Sequence, residues 1–210
     1  MAIQTFTTGQ VLTAAQMNTL QQQAVMTFTT EAARDAAITA PSEGMVAYLT
    51  APTVPAATGA TTFVPTGIQT IYNGTSWVCV TEVSAFTVTA GTTTATANFT
   101  PTLTGGGTNP SVTLTTGTTA LVTINGNLIN SSSVSSYMTL AISGATTISG
   151  DSFESTYGAA RNAANLQTTA SRTYAISGLT AGTNTFTLNY IVAGGTGTFH
   201  ARSITAKGVA

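Results

Sequence analysis

Thr185-Phe186-Thr187-Leu188-Asn189-Tyr190-Ile191 sets an apolar side chain at every second position with a hydroxyl or amide between. That is the period of a strand with one buried and one solvated face. The same alternation recurs at residues 86–89, 96–99, 111–114, 120–124, 137–142, 173–176 and 198–204, between turns rich in Gly, Asn and Ser. Short strands at this spacing predict an antiparallel β-sandwich, in the form of a jelly roll, over residues 83–210.

Charge is nearly absent from this region. Between Glu82 and Asp151 there is no Asp, Glu, Lys or Arg, and over all 210 residues the charged fraction is 5% while hydrophobics make up 42%. An ordinary soluble domain carries about 25% charged residues. Thr and Ser occupy the solvent-facing positions instead, which suits extended backbone and spares closely packed subunits the cost of desolvating charges. A stretch without charge has no general acid, general base or carboxylate cage, so no enzyme and no cofactor is expected. The formal net charge of -1 argues against nucleic acid and against an anionic membrane surface. No stretch has the length of a membrane span, and the N-terminus has no signal-peptide pattern, so synthesis in a cytoplasm is expected. Cys79, the single cysteine, is expected as a small buried residue beside Trp77 and Val78.

The N-terminal part reads differently. Residues 13–25 lack Gly and Pro, and Thr13 with Gln16 has the spacing of a capping box, which predicts a helix carrying a narrow stripe of Met17, Leu20 and Ala24. A helix this short is marginal alone in water, so its stripe is expected to pack on a partner or on copies of itself. A second short helix is predicted from Thr30 to Ala37, then a strand over 44–49, a Pro-, Ala- and Thr-rich loop over 51–65, and a hairpin turning at Asn73-Gly74. The expected organisation is therefore an anchor segment (1–30), a small αβ neck (31–82) and the sandwich (83–210).

The candidates for chemistry are few. Asp151, Glu154 and Arg161 fall in an expected long loop or short helix from residue 150 to about 169, with Tyr157 between them. Paired carboxylates beside an Arg could be catalytic, but glycosidase pairs need rigid supports, and an i, i+3 pair in a loop is more often its solvated face. His200 alternates with Phe199 and Ala201; alone it makes no metal site within one subunit, although copies around a symmetry axis would. Arg202 is expected on the same strand face as His200, as an interaction residue. Gly105-Gly106-Gly107 and Gly194-Gly195-Thr196-Gly197 neither open a helix nor precede a Lys, so they read as turns. Tyr137, Tyr157, Tyr174 and Tyr190 would either stack on a saccharide or serve as core aromatics with a polar tip.

The run Phe6-Thr7-Thr8-Gly9-Gln10-Val11-Leu12-Thr13-Ala14-Ala15-Gln16-Met17-Asn18 resembles the opening of tailed-bacteriophage virion proteins. Arg34-Asp35-Ala36-Ala37-Ile38, Pro41-Ser42-Glu43-Gly44-Met45-Val46-Ala47-Tyr48-Leu49 and Ile71-Tyr72-Asn73-Gly74-Thr75-Ser76-Trp77-Val78 are similar to the N-terminal modules of phage tail-fibre, collar-fibre and head-fibre proteins. The strand pattern at 137–145, 179–188 and 197–202 is similar to trimeric jelly rolls of tumour-necrosis-factor or complement-head type. These resemblances imply a structural virion protein, a homotrimer held to another virion protein through Val11, Leu12, Met17 and Leu20. The alternative they leave open is a fibre tip that recognises host surface glycan, with Asp151, Glu154, Tyr157, Arg161, His200 and Arg202 as candidate receptor or inter-subunit residues.

Overall fold

The computed structural model of the chain describes residues 7–23, 25–152, 156–159 and 164–210. Helix α1 (Ala14–Gln23) begins at the capping box: Gln16 N donates to Thr13 Oγ1 at 3.3 Å and Thr13 N donates to Gln16 Oε1 at 3.0 Å. Strand β1 (Met26–Phe28) and helix α2 (Glu31–Ala37) follow, the helix capped by Thr30, whose Oγ1 accepts from Ala33 N at 3.3 Å. Strand β2 (Val46–Leu49) runs parallel to β1. The segment expected as a loop instead holds two short strands, β3 (Ala56–Thr58) and β4 (Thr61–Phe63), before β5 (Ile68–Tyr72) and β6 (Trp77–Cys79) close the hairpin. Asn73 makes that turn by accepting on Oδ1 from Thr75 N at 3.1 Å and Ser76 N at 2.9 Å, while Gly74 takes φ 90°.

The first sheet has the order β1-β2-β5-β6. Arg34 of α2 locks the helix onto it. Its guanidinium lies 4.6 Å from the Trp77 ring centroid, pairs with Asp35 at 2.9 Å and donates to the Thr70 hydroxyl at 3.3 Å. Glu31, on the same helix, reaches the segment that follows β2. Its carboxylate accepts from Thr53 N, Val54 N and the Thr53 hydroxyl at 3.0–3.1 Å. Burial alone would raise the Glu31 pKa, but those bonds and one from its own backbone N–H together outweigh it and hold the carboxyl below its ordinary value.

The remaining strands are β7 (Val83–Thr87), β8 (Gly91–Thr93), β9 (Ser111–Thr116), β10 (Thr119–Asn130), β11 (Ser135–Gly144), β12 (Thr156–Ala159), β13 (Thr168–Ser177), β14 (Gly182–Val192) and β15 (Gly197–Val209). They form a six-stranded sheet, ordered β13-β10-β15-β7-β4 with β8 also on β15, and a five-stranded sheet, ordered β12-β11-β14-β9-β3. All pairings in both are antiparallel. The fold is a short N-terminal helix and small αβ unit followed by an antiparallel β-sandwich of jelly-roll type.

Strict alternation of buried and half-buried residues along β10 turns Val122, Ile124 and Leu128 inward against Leu114, Leu140, Phe186 and Leu188 of the facing sheet. Each such side chain contributes about 1.5–3 kcal/mol on burial. Leu49, Ile68 and Cys79 belong to the same apolar cluster, so the core runs without a break from the αβ unit into the sandwich. The excursion of β3 and β4 has the same effect, because one adds to each sandwich sheet.

Two expectations fail locally. Residues 96–99 form no strand: Ala95 O accepts from Val192 N at 2.9 Å and Thr100 exchanges both backbone bonds with Tyr190, so the chain touches β14 at two points and arches away between them, with Pro101 next. The long loop or short helix expected from 150 begins with a 3-10 turn (Gly150–Ser152) but then holds strand β12, which pairs with β11.

Candidate functional site

Strand β15 carries the chief surprise. Asn125 of β10 pairs with Ser203, but Asn127 pairs with His200, so β15 spends three steps where β10 spends two. The extra residue is a β-bulge, and Ala201 sits there at φ 48°. One inserted residue reverses the alternation: Phe199 and Arg202 turn inward while His200 stays half-buried on the outer face. The sequence-based placement of Arg202 beside His200 on a receptor or inter-subunit surface is therefore corrected, since Arg202 is 1% exposed.

Its guanidinium is held by a ring of neutral acceptors. One terminal nitrogen donates to the Tyr190 hydroxyl at 3.0 Å, the other to Thr89 O at 3.2 Å and to Gly106 O, while Nε has no partner. Tyr190 donates onward to Asn109 Oδ1 at 2.7 Å, and Asn109 Nδ2 donates to Leu188 O at 2.8 Å. Burial pushes the Tyr190 phenol well above its ordinary pKa, against the opposing pull of the guanidinium, so it stays a neutral donor. The network has no acid and no open face. It pins the glycine turn at Gly105 and Gly107, both at positive φ, to the sheet.

Asp151 is exposed and ties two loops together, accepting from Phe99 N at 3.2 Å and from the Ser149 hydroxyl at 3.1 Å. Glu154 and Arg161 lie outside the described residues. So does the Tyr157 side chain, whose backbone pairs with Tyr137 at the sheet edge. Near the chain start, Val11 is 87% exposed, Leu12 43% and Met17 44%, while Leu20 is half-buried. Cys79 is buried, and its thiol is pushed up to about 11 by desolvation, with a backbone hydrogen bond from Thr81 opposing the rise and the Glu31 charge adding to it. Among the described residues no three His, Cys, Asp or Glu side chains cluster as a metal site, and no helix is long and apolar enough to cross a membrane.

A feature that sequence reasoning touched only through Tyr174 lies on β13. Arg172, Tyr174 and Ile176 share the inward parity of Ile204 and Val122; Tyr174 and Ile176 are buried in the common core, while Arg172 is half-buried on this edge strand. With Ile148 from the facing sheet and Thr173, Ala175 and Ser177, they line a cleft of about 490 Å³. The Arg172 guanidinium lies 5.1 Å from the Tyr174 ring centroid. The Arg-x-Tyr spacing on a predicted strand was the available signal; that the strand sits at an edge was not legible.

No protein-family model and no curated protein matches this sequence at a significant level. Among solved structures, the chain is similar to the TNF Eiger from S. frugiperda, at 15% identity over 61% of this chain and 92% of that one, with a TM-score of 0.43. It is also similar to a family 35 carbohydrate-binding module from Cellvibrio japonicus Abf62, at 16% identity over 61% of this chain and 95% of that one, TM-score 0.31. A third is the enzymatically active domain of tailspike protein 4 of bacteriophage CBA120, at 12% identity over 55% of this chain and 19% of that one, TM-score 0.29. No residue role passes from these proteins to this chain.

Proposed function

We propose that this chain is a non-enzymatic virion protein of a tailed phage, a homotrimeric head that recognises host surface glycan and is held to the particle by its N-terminal segment. The observation that carries the recognition role is the β13 cleft. At about 490 Å³ it has the size of a small-ligand site, and among the described residues its lining brings the Arg172 guanidinium, Ile148 and the rim of the buried Tyr174 ring together on one side of the strand edge, with the Thr173 and Ser177 hydroxyls on the other and no carboxylate. Apolar surface takes the C–H faces of a sugar ring, and the hydroxyls and guanidinium bond to its oxygens. That is binding chemistry without a general acid or base. The particle-anchoring role rests on the exposure of Val11, Leu12 and Met17 beside the phage-like sequence at 6–18.

The test is binding of the full-length protein to polysaccharide extracted from the host surface, followed by calorimetry, for the wild type and for Arg172→Ala and Ile148→Trp. Both variants should lose at least tenfold in affinity while keeping the wild-type mass and melting temperature. Unchanged binding by both removes the cleft as the site, and absence of binding by the wild type removes the glycan reading.

A further inference from the structure

Thr139 of β11 and Asn189 of β14 stand opposite one another in the five-stranded sheet. Their neighbours Met138, Leu140, Leu188 and Tyr190 fill the core, so by alternation both side chains point to the outer face. Yet Thr139 is 0% exposed and Asn189 6%, while Tyr137, Ala141, Thr187 and Ile191 on the same face are only half-buried. A roof makes the difference. The arch at 95–101 is bonded to β14 through Ala95 and Thr100, and the 3-10 turn at Gly150 comes down over Asn189. A Cβ on Gly150 would lie 2.8 Å from Asn189 Nδ2 and 3.2 Å from the Phe99 Cβ. Asp151 joins the two pieces of roof, since its carboxylate accepts from Phe99 N at 3.2 Å. Beneath them, Thr139 Oγ1 and Asn189 Oδ1 have no hydrogen-bond partner among the described residues, although buried polar atoms are nearly always paired.

From this arrangement we propose that the roofed site on the outer face of the five-stranded sheet binds a hard divalent cation of the calcium type. Thr139 Oγ1, Asn189 Oδ1 and the Asp151 carboxylate are its protein ligands, and water completes the shell. The donor set selects the ion: an amide oxygen, a hydroxyl and a carboxylate are all oxygen ligands, which calcium takes in irregular geometry. Magnesium demands a near-ideal octahedron and gives up its water reluctantly, and zinc favours nitrogen and sulfur. Burial selects it again, because two oxygens so deeply covered are out of reach of a sugar ring and open only to an ion or a water. One carboxylate among neutral ligands places the affinity at the weak end of the calcium range, about 10⁻⁴–10⁻³ M. The bound ion clamps the arch and the turn onto the sheet. This site is separate from the β13 cleft and stands whether or not that cleft binds glycan.

The experiment takes the full-length chain, stripped with EDTA and dialysed, through a calorimetric titration with calcium chloride and through melting curves in EDTA, calcium and magnesium. Asp151→Asn, Thr139→Val and Asn189→Asp are measured beside the wild type. The wild type should bind one calcium ion per chain and, at about 10 mM calcium, melt about 3–10 °C higher than in EDTA, with a smaller response to magnesium. Asp151→Asn keeps an acceptor for Phe99 N, and Thr139→Val replaces an unpaired hydroxyl by a methyl group of the same shape, so both should fold. Each should lose at least tenfold in calcium affinity, and Thr139→Val should melt no lower than the wild type in EDTA. Asn189→Asp, which adds a second carboxylate, should melt lower in EDTA yet bind calcium at least tenfold more tightly. A wild type without a calcium response, the result that a water in the same place would give, overturns the proposal. An equal rise with both salts overturns it too, and so does calcium affinity unchanged in Asp151→Asn and Thr139→Val, which would put the ion elsewhere.

Discussion

Replacing Arg202 by Met asks whether a buried guanidinium without a carboxylate helps or harms this fold. The side chain is 1% exposed and makes its bonds to Tyr190, Thr89 and Gly106. Methionine retains most of the stem, so the change removes donors without a large void. Tyr190 keeps its bond to Asn109, and Thr89 is an exposed residue that water can serve. The loss that remains is at Gly106, a buried residue whose carbonyl is left without its donor, at about 1–3 kcal/mol. Recovery of the ion's own desolvation keeps the net cost at the lower end of that range. Arg202→Ala removes two stem methylenes as well, at about 0.8 kcal/mol each, and opens a cavity, for about 3–5 kcal/mol in all. Arg202→Lys keeps a buried charge with fewer fixed donors and should be no more stable than the Met variant. Urea unfolding followed by Trp77 fluorescence, at one protein concentration, measures all three. For a chain of this length each kcal/mol moves the melting temperature by about 2–4 °C. A Met variant as stable as the wild type, or a Lys variant more stable than the Met variant, would refute the account of the network as net stabilising through its forked donors.

Glu31 yields a prediction with a defined sign. Its folded pKa lies below the unfolded value, so its contribution is present above the unfolded pKa and fades as pH falls through the folded one. Unfolding measured between pH 7 and pH 3 should show the wild type losing more stability on acidification than Glu31→Gln, and parallel curves would remove Glu31 as the latch. Cys79, with its thiol raised to about 11 by burial, should stay unmodified by a thiol reagent at pH 8 until denaturant is added. Rapid native labelling would show that the seam between the αβ unit and the sandwich opens.

Much of the architecture is legible in the residues themselves. The Thr13–Gln16 box, the Thr30 cap and the Asn73-Gly74 turn are local, because each is a hydrogen bond between residues two or three apart and depends on nothing distant. The long strands are legible for a related reason: a period of two with a hydroxylated outer face suits a sandwich layer and little else. The β13 cleft was half legible, in the Arg172–Tyr174 spacing but not in the edge position that leaves it open.

What the sequence determined by itself was thus the kind of protein: a charge-poor, hydroxyl-faced β-sandwich behind a short capped helix. The tertiary structure decided which faces those side chains occupy. Residues 56–63 become strands only because each finds a sheet edge to join, and residues 96–99 fail to become one because β14 holds them only at the two ends. Arg202 turns from surface to core through one extra residue at Ala201, whose positive φ no side-chain pattern announces. Parity along a strand is local until a bulge intervenes, and a bulge is set by the register of two strands far apart in the chain.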